Sequence, residues 1–374
     1  MNSKQRMNCV MNGKKPDRIP VMCQLSLGHI YKNTDINPFE FWYTAKGLSQ
    51  GYIQMADRYK FDGILVNKPG IDDPALKDEV KSIIKSGDGY LLTWKNGLQT
   101  FFPPDDDPRD IDVDRKTPDK KIASIDIDMV RRNASEPLTP YYLDPLKFVI
   151  SARGADLSIH GEVSTVFESF LLLLGSYENG LMALVDDPDK SIQIMQVMNQ
   201  KVIRQARAQC ELDIDALKLS SPIAGAGFIS RQFYKSFVLP FEKEVIDTVH
   251  KEFKIPCYIH TCGAIGDRLD LMLETGTDGL ECLDPPPLGT VDLAEAVETI
   301  GSKVFIKGNL DSVNELIKSS EEIREIVLKR LEIGSRAKGY ILSSACSVSP
   351  KVPPENIVIL HDICTQYQKK TCES

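Results

Sequence analysis

The chain has 374 residues, 42% hydrophobic and 26% charged, which is typical of a soluble globular protein and excludes disordered, collagen-like and membrane classes. Its 45 basic and 53 acidic residues give a formal net charge of -8, the wrong sign for a nucleic-acid-binding protein. No run approaches the roughly 18 apolar residues of a membrane span, and residues 1–15 lack the apolar core of a signal peptide. We therefore expect a cytoplasmic protein that binds neither nucleic acid nor a membrane.

The cysteines predict reduced thiols rather than a disulfide framework. There are nine, an odd number in a chain without a secretion signal, and none forms a CxxC pair. Most are expected to be buried as small apolar residues, so that any metal-binding role must be argued for each cysteine separately.

Short apolar runs rich in β-branched residues predict eight strands, at 18–23, 62–66, 156–161, 214–220, 256–260, 278–283, 303–308 and 340–344. The stretches between the last five predict helices, at 231–252, 264–275, 292–299 and 321–337. This alternation favours a (β/α)8 TIM barrel that occupies residues 1–374 as one α/β domain. A doubly wound sheet would need a glycine fingerprint after the first strand, and residues 25–29 do not provide one.

Residues 67–155 interrupt the alternation between the second and third predicted strands. The segment is much longer than an ordinary βα connection and is rich in Pro, Asp and Lys. Within it, Asn96-Gly97 separates two β-rich runs and predicts a hairpin with a type I′ turn. Because the segment leaves the second strand at its C-terminal end, we expect an inserted lobe over or beside the mouth of the barrel.

A candidate metal site combines His260 and Cys262, at the end of the fifth predicted strand, with Cys346, just after the last. Residues i and i+2 of an extended segment point the same way, and the C-terminal ends of barrel strands meet at one face. One imidazole and two thiolates form a soft ligand set suited to a catalytic zinc with one position left open. Glu281 and Cys282 are candidates for that fourth position; we favour Glu281, because a substrate displaces a carboxylate more easily.

Six segments in chain order carry a family resemblance: PDRIPV, DDPDKSIQIMQVMNQKVIRQARAQCELDIDALKL, SPIAGAGFISRQFYKSFVLPF, HTCGAIGDRLDLMLETGTDGL, KVFIKGNLD and SACSVSPKVPPENI. Together they resemble the uroporphyrinogen decarboxylase superfamily, and within it most closely the cobamide-dependent methyltransferase branch. The resemblance extends over residues 14–66 and 150–370 and leaves most of the insertion unmatched. It implies a (β/α)8 barrel and zinc ligands at His260, Cys262 and Cys346.

Two departures disfavour the decarboxylase reaction of this superfamily. The decarboxylases carry arginines soon after the RxPV segment that hold the carboxylates of the porphyrinogen, whereas here no arginine follows Arg18 before Arg58. Their characteristic Asp, in a Phe-x-Asp-Ile-Leu pattern, aligns with Gly63, one position after Asp62. A substrate with many carboxylates would therefore lack its counter-ions.

Other polar residues near predicted strand ends are weaker candidates for catalytic roles. His29 and His160 could contact substrate, although a lone histidine is more often hydrogen-bonded for structural reasons. Asn309 resembles the Gly-Asn at a barrel end of the family, and its alternative role is that of a turn residue before the next helix.

The resemblance implies zinc-dependent transfer of a methyl group between a corrinoid (cobalamin) and a small-molecule methyl donor or acceptor. The corrinoid-binding pattern D-x-H-x-x-G is absent, so we expect a partner protein to carry the corrinoid. Two thiolate ligands weaken zinc as a Lewis acid and keep a bound sulfur nucleophilic, which favours a thiol as the methyl acceptor. The alternatives are a demethylase of a methoxy-aromatic or methylamine substrate, a decarboxylase-like lyase, and a non-catalytic protein that only binds a corrinoid-carrying partner.

Overall fold

The computed structural model describes residues 1–68, 70–71, 73–111 and 118–373, with the backbone alone for 370–373. The strands in these ranges are β1 Gly63–Val66, β2 Val80–Ser86, β3 Gly89–Trp94, β4 Gln99–Phe102, β5 Arg109–Ile111, β6 Ser158–Ser164, β7 Ala216–Ser220, β8 Cys257–Thr261, β9 Gly279–Cys282, β10 Phe305–Leu310 and β11 Tyr340–Ser344. The α-helices are α1 Ser3–Met11, α2 Leu27–Lys32, α3 Pro38–Tyr43, α4 Ala45–Tyr59, α5 Ile127–Ser135, α6 Asp144–Arg153, α7 Val166–Leu173, α8 Tyr177–Asp186, α9 Pro188–Cys210, α10 Arg231–Phe237, α11 Leu239–Glu252, α12 Leu269–Glu274, α13 Leu293–Thr299, α14 Ser320–Gly334 and α15 Pro354–Glu373. In the part of the chain so described, none of these helices is both long and apolar enough to cross a bilayer.

Seven strands form one parallel sheet in the order β1-β6-β7-β8-β9-β10-β11. Each overlaps a predicted strand, and helices lie between successive strands, as parallel pairing requires. The strands are buried over nearly their whole length, which explains their continuous apolar runs. The predicted α/β alternation is therefore confirmed.

The eighth predicted strand, 18–23, forms only isolated parallel bridges, between Val21 and Leu342 and between Leu25 and Val348. Pro20 has no N–H to donate, and the N–H of Val21 donates to the Asp62 carboxylate at 2.8 Å rather than to a neighbouring strand. The Val21 carbonyl nevertheless accepts from the Asp62 N–H at 2.8 Å. The segment therefore lies between β1 and β11 and joins the two edges of the curled sheet without being a full strand.

The N-terminal end of the sheet is closed by helix α1. Met7, Val10 and Met11 of this helix belong to one buried apolar cluster with residues of the sheet and of the 18–25 segment. Those partners are Met22, Leu65, Ala216, Tyr258, Phe305 and Ile341. The interior of the sheet is thus filled at this end, and open space for a ligand is left to the opposite end.

Asp62 makes a buried ionic cluster at the same N-terminal end. Its carboxylate lies 2.7 Å from Arg6 Nη1 and 2.8 Å from Arg18 Nη1, and its side chain is fully buried. Arg18 and Asp62 come from the two segments compared above with the decarboxylases. The two side chains pair with each other at the N-terminal end of the sheet, so Arg18 is not available to bind a substrate carboxylate at the C-terminal strand ends.

Strands β2 to β5 form a separate four-stranded antiparallel sheet within residues 67–155, of which 69, 72 and 112–117 lie outside the described residues. Trp94 packs against Phe39 and Tyr43 of α3, with ring centroids 6.5 and 5.7 Å apart. Buried residues of this sheet belong to the same hydrophobic core as the parallel sheet. The Asn179 side chain, in α8, donates to the Asp119 carboxylate of the insertion at 2.7 Å. This contact supports an inserted lobe beside the barrel mouth, which stays a prediction.

The turn between β3 and β4 differs from the predicted type I′ turn. The N–H of Trp94 donates to the Leu98 carbonyl at 2.9 Å, so the loop between the strands has three residues. Within this loop, Gly97 has a positive φ of 91°, whereas Asn96 does not have a positive φ. A type I′ turn would need both residues in that region, whereas a three-residue loop ending in a left-handed glycine needs only one. The location of the hairpin matches the sequence pattern, but the predicted turn type was wrong.

Gly97→Ala should lower the free energy of unfolding by about 1 kcal/mol, because a side chain disfavours a positive φ. A Cβ at this position would have no heavy atom within 4 Å, so the effect would come from the backbone alone. Gly227→Ala is the matched control, since that site is equally open and its φ is not positive. Urea unfolding measures both variants, and equal stability of the two would contradict the left-handed assignment.

Candidate metal centre

Three side chains that could hold a metal ion converge at the C-terminal end of the parallel sheet. His260 is in β8, Cys262 follows that strand directly, and Cys346 follows β11. His260 Nε2 lies 3.2 Å from Cys262 Sγ, which in turn lies 3.5 Å from Cys346 Sγ, and the three ligand atoms are all within 4.8 Å of one another. Because β9 and β10 separate β8 from β11, it is the curl of the sheet that brings Cys346 to the other two.

The neighbouring side chains favour the deprotonated, thiolate form of Cys346. Hydrogen bonds from the Cys262 and Cys282 thiols, followed by His260, hold the pKa of Cys346 far below its ordinary value. Burial opposes this effect but is the weaker influence. These contacts favour the thiolate form of Cys346, which is the form of cysteine that binds metals.

Glu281 lies on the other side of the His260 ring and is not among the clustered ligand atoms. The two residues are paired in register across β8 and β9, and Glu281 Oε2 lies 2.9 Å from His260 Nδ1. The predicted fourth ligand therefore contacts the nitrogen that points away from the sulfur atoms. A carboxylate in this position fixes the orientation and tautomer of a metal-binding histidine.

Glu281 also belongs to a layer of alternating charges inside the sheet. Lys307 Nζ forms an ion pair with Glu281 Oε1, and Lys218 Nζ lies 3.5 Å from Glu281 Oε2 and 3.2 Å from Glu162 Oε2. Burial raises the pKa of Glu281, but Lys307, Lys218 and His260 together lower it well below the ordinary value. The two lysines and two glutamates balance one another in charge beneath the sulfur atoms.

Sequence reasoning missed Glu162, Lys218 and Lys307. Each is the single Asp, Glu, Lys or Arg residue of its strand, in SIHGEVS, ALKLS and FIKGNL. A charged residue inside a strand buried on both faces must be paired, and this pattern is the signal that could have revealed the layer.

Cys282 and Asp284 lie beside the three ligands. Cys262 Sγ, Cys282 Sγ and an Asp284 carboxylate oxygen are within 4.8 Å of one another, and Cys282 Sγ is 3.2 Å from Asp284 Oδ2. The same oxygen accepts the N–H of Gly263 at 2.7 Å. The structure thus places Cys282, rather than the favoured Glu281, next to the sulfur atoms, and adds Asp284, which sequence reasoning did not consider.

The two other histidine candidates are buried and hydrogen-bonded through both ring nitrogens. His29 lies 2.9 Å from the Ser349 carbonyl and 2.7 Å from the Tyr59 hydroxyl. His160 lies 3.0 Å from both the Ser158 and Tyr258 hydroxyls, and burial, aided by Lys307, lowers its pKa to about 3. The structure does not bring either ring to the metal-binding atoms, and a neutral His160 packs near the closed end of the sheet.

Asn309, the remaining candidate, is in β10 and fully buried. Its amide nitrogen donates to the Leu283 carbonyl at 2.9 Å, so it holds the backbone directly after Cys282. Its side-chain oxygen has no hydrogen-bond partner among the described residues. Asn309 is therefore in a position to support the segment that carries Cys282 and Asp284.

A cavity of about 450 Å³ adjoins the charged layer. Asn67, Glu162 and Ser164 line it from the C-terminal side of the sheet, and residues of α5, α7 and α9 complete its wall. This volume is within the range of pockets that take small molecules. Glu162 belongs both to the cavity wall and to the layer beneath the sulfur atoms.

The profile of the uroporphyrinogen decarboxylase (URO-D) family matches residues 113–367, more than half of the chain. The chain belongs to this family. Members of the family are enzymes, and the relatives of this chain include decarboxylases and a methyltransferase. The match begins within the insertion and takes in every strand from β6 to β11.

Two curated relatives represent the two activities. The uroporphyrinogen decarboxylase of Ruthia magnifica subsp. Calyptogena magnifica is 28% identical over 194 residues, covering 51% of this chain and 53% of its own. The methylcobamide:CoM methyltransferase MtbA of Methanosarcina acetivorans is 27% identical over 167 residues, covering 44% and 46%. The chain thus spans about half the length of the curated relatives it matches.

Among solved structures, a methyltransferase from Methanosarcina mazei has a TM-score of 0.73 with 15% sequence identity. The alignment covers 98% of this chain and 99% of that one. At this identity the likeness shows the fold alone, and it supports a TIM-barrel-like arrangement over the whole chain.

Proposed function

We propose that the protein is a zinc-dependent methyltransferase that moves a methyl group between a corrinoid held by a partner protein and a small thiol. The observation that carries this proposal is the convergence of His260 Nε2, Cys262 Sγ and Cys346 Sγ within 4.8 Å at the C-terminal end of the sheet. Its methyltransferase relative, whose name specifies methylcobamide and CoM, supports both the reaction class and the corrinoid.

The donor set fits zinc. The separations of 3.2 and 3.5 Å between neighbouring donor atoms are close to the roughly 3.5 Å edges of a tetrahedron with zinc bonds of about 2.0–2.3 Å. Two thiolates balance the charge of a divalent ion, and the soft sulfur donors favour zinc over magnesium or calcium. His260, Cys262 and Cys346 would hold the ion, which when bound supplies a Lewis acid that lowers the pKa of a thiol.

The neighbouring residues prepare this site through electrostatics. A neutral His260 that donates its Nδ1 proton to Glu281 presents an unprotonated Nε2 towards Cys262. Lys218 and Lys307 compensate the charge of Glu281, so that the carboxylate stays ionised although it is buried. The thiols of the site must be reduced, which agrees with the cytoplasmic location proposed for the protein.

The thiol direction is favoured over demethylation of an ether or amine. Two thiolates donate charge to the metal, which makes it a weak Lewis acid towards an ether oxygen but a suitable partner for sulfur. The decarboxylase reaction is disfavoured, because no arginine follows Arg18 before Arg58 to bind the carboxylates of a porphyrinogen.

Incubation with methylcobalamin and a panel of small thiols should give methylated thiol and the demethylated corrinoid. Cys262→Ala should lower the rate at least about 100-fold, because an essential metal ligand is lost. The corrinoid spectrum reports the reaction, and Cys210→Ala, a buried helical cysteine, is the control. Demethylation of a methoxyarene by Co(I) corrinoid, with no thiol methylated, would reverse the proposed direction.

A further inference from the structure

The cavity of about 450 Å³ lies on the outer face of β6, on the other side of the sheet from the sulfur atoms. Alternate residues of a strand point to opposite faces, and Glu162 points inward, with its Oε2 atom 3.2 Å from Lys218 Nζ. Val163 therefore points outward, and it lines the cavity together with residues of helices α5, α7 and α9. The cavity is thus a second site, separate from the candidate metal centre.

The floor of this cavity is apolar and its rim is polar. Val130, Val166 and Val202 line it and are buried. Asn133 and Lys201 line it as well but are exposed to solvent. A close-packed protein interior leaves few voids larger than a water molecule, so a space of this volume with an exposed rim has the form of a small-molecule pocket.

The wall that α5 contributes is fixed to α9. The Arg204 side chain, in α9, donates to the backbone carbonyl of Ala134 and, at 3.1 Å, to that of Glu136. Ala134 and Val130 of α5 are both buried. The cavity is therefore formed before a ligand enters, as is usual for small-molecule sites.

Tyr142, which also lines the cavity, has a proton without an acceptor. Gln209 is fully buried, and its side chain accepts the Glu162 N–H at 3.0 Å and donates to the Glu162 carbonyl at 2.8 Å. Because these two contacts fix the orientation of the amide, Gln209 Nε2 is the donor to the Tyr142 hydroxyl, 3.2 Å away. Burial raises the pKa of Tyr142 to about 12, so the hydroxyl keeps its own proton. The described residues provide no acceptor for that proton.

We propose that this cavity binds a neutral aromatic molecule with one oxygen atom that accepts a hydrogen bond from Tyr142. A floor of valines offers no partner for a charged group, so the part of the ligand that enters is uncharged. The thioethers of Met129 and Met198 line the cavity and make favourable contacts with aromatic rings. The inference goes beyond the proposed function and does not depend on it.

The fluorophore 6-acetyl-2-(dimethylamino)naphthalene is a suitable probe, because it is neutral, has one carbonyl oxygen and emits at shorter wavelength in apolar surroundings. It should bind saturably to the wild-type protein. Tyr142→Phe should lower the affinity about 5-fold, because the hydrogen bond to the carbonyl is lost while the ring remains. Tyr141→Phe is the matched control, since that neighbouring tyrosine does not line the cavity, and it should bind the probe as the wild type does.

Two tryptophan variants locate the bound probe. Ser169→Trp, at the exposed rim, should lower the affinity at least about 10-fold, because the indole occupies space that the probe needs. Met182→Trp, on the exposed face of α8 and outside the cavity, should leave the affinity unchanged. Circular dichroism confirms that each variant is folded.

Absence of saturable binding would overturn the proposal, as would wild-type affinity in either Tyr142→Phe or Ser169→Trp. A matched anion tests the class of ligand. Tighter binding of 2-naphthoate than of the neutral probe would assign the cavity to organic acids paired with Lys201 and would also overturn it.

The metal-free Cys262→Ala, Cys346→Ala protein separates this site from the candidate metal centre. It should bind the probe as tightly as the wild type, whereas loss of binding would place the probe at the sulfur atoms and overturn the proposal. Tight binding by a protein that transfers no methyl group would leave the cavity assigned and remove only the proposed function.

Discussion

Replacing Cys262 and Cys346 together by alanine should reduce bound zinc from one ion per chain to less than about a tenth of an ion, because two of three converging donors are lost. The fold should persist, since a barrel of this size buries enough apolar surface to be stable without a metal. Elemental analysis after dialysis measures the metal, and circular dichroism measures the fold.

The matched control for this variant is the pair Cys210→Ala and Cys364→Ala, which removes two buried thiols from helices α9 and α15. It should retain the full amount of zinc. Full zinc occupancy in the Cys262→Ala, Cys346→Ala protein would show that the ion binds elsewhere and would remove the basis of the proposed function.

Glu281→Leu should lower the free energy of unfolding of the metal-free protein by about 3–5 kcal/mol, because it leaves the buried Lys307 without its anion. Lys307 is fully buried, and its other described contact is the Ser343 hydroxyl at 3.3 Å. Urea unfolding measures the loss. Because the variant also frees the Nδ1 side of His260, zinc affinity should fall about 10–100-fold.

A second substitution tests the electrostatic cause. Lys307→Met in the Glu281→Leu background removes the stranded charge and should recover part of the lost stability, as a double-mutant cycle would show. Asp247→Ala, which breaks the exposed pair with Lys243, should cost no more than about 0.5 kcal/mol and serves as the control. If the double variant is no more stable than Glu281→Leu, the loss arises from packing rather than from an unpaired charge.

The seven-stranded parallel sheet could be predicted because each strand is a short run of buried β-branched and apolar residues. The 18–23 segment carries a similar run but not the same structure. Its Pro20 lacks an N–H, and Asp62, distant in the sequence, takes the N–H of Val21. The local pattern of residue types cannot predict this long-range contact between Val21 and Asp62.

The residues of the candidate metal centre could be predicted from the sequence to different degrees. His260 and Cys262 are separated by two positions on a strand, a spacing that by itself predicts a shared face. Glu281 was preferred to Cys282 because a substrate displaces a carboxylate more easily, and nothing in the sequence indicates the left-handed backbone that the structure has at position 282. The paired charges of Lys218 and Lys307 were missed, since a lysine in a sequence is ordinarily interpreted as exposed.

Helix α1 has a consequence for the order of events in catalysis. Because Met7, Val10 and Met11 fill the N-terminal end of the sheet, there is no passage along its axis from one end to the other. A methyl donor and a methyl acceptor cannot approach the sulfur atoms from opposite ends. In the proposed reaction, a large corrinoid-carrying partner and a small thiol would therefore reach the site from the same half of the molecule, so that the thiol either binds before the partner docks or enters beside it.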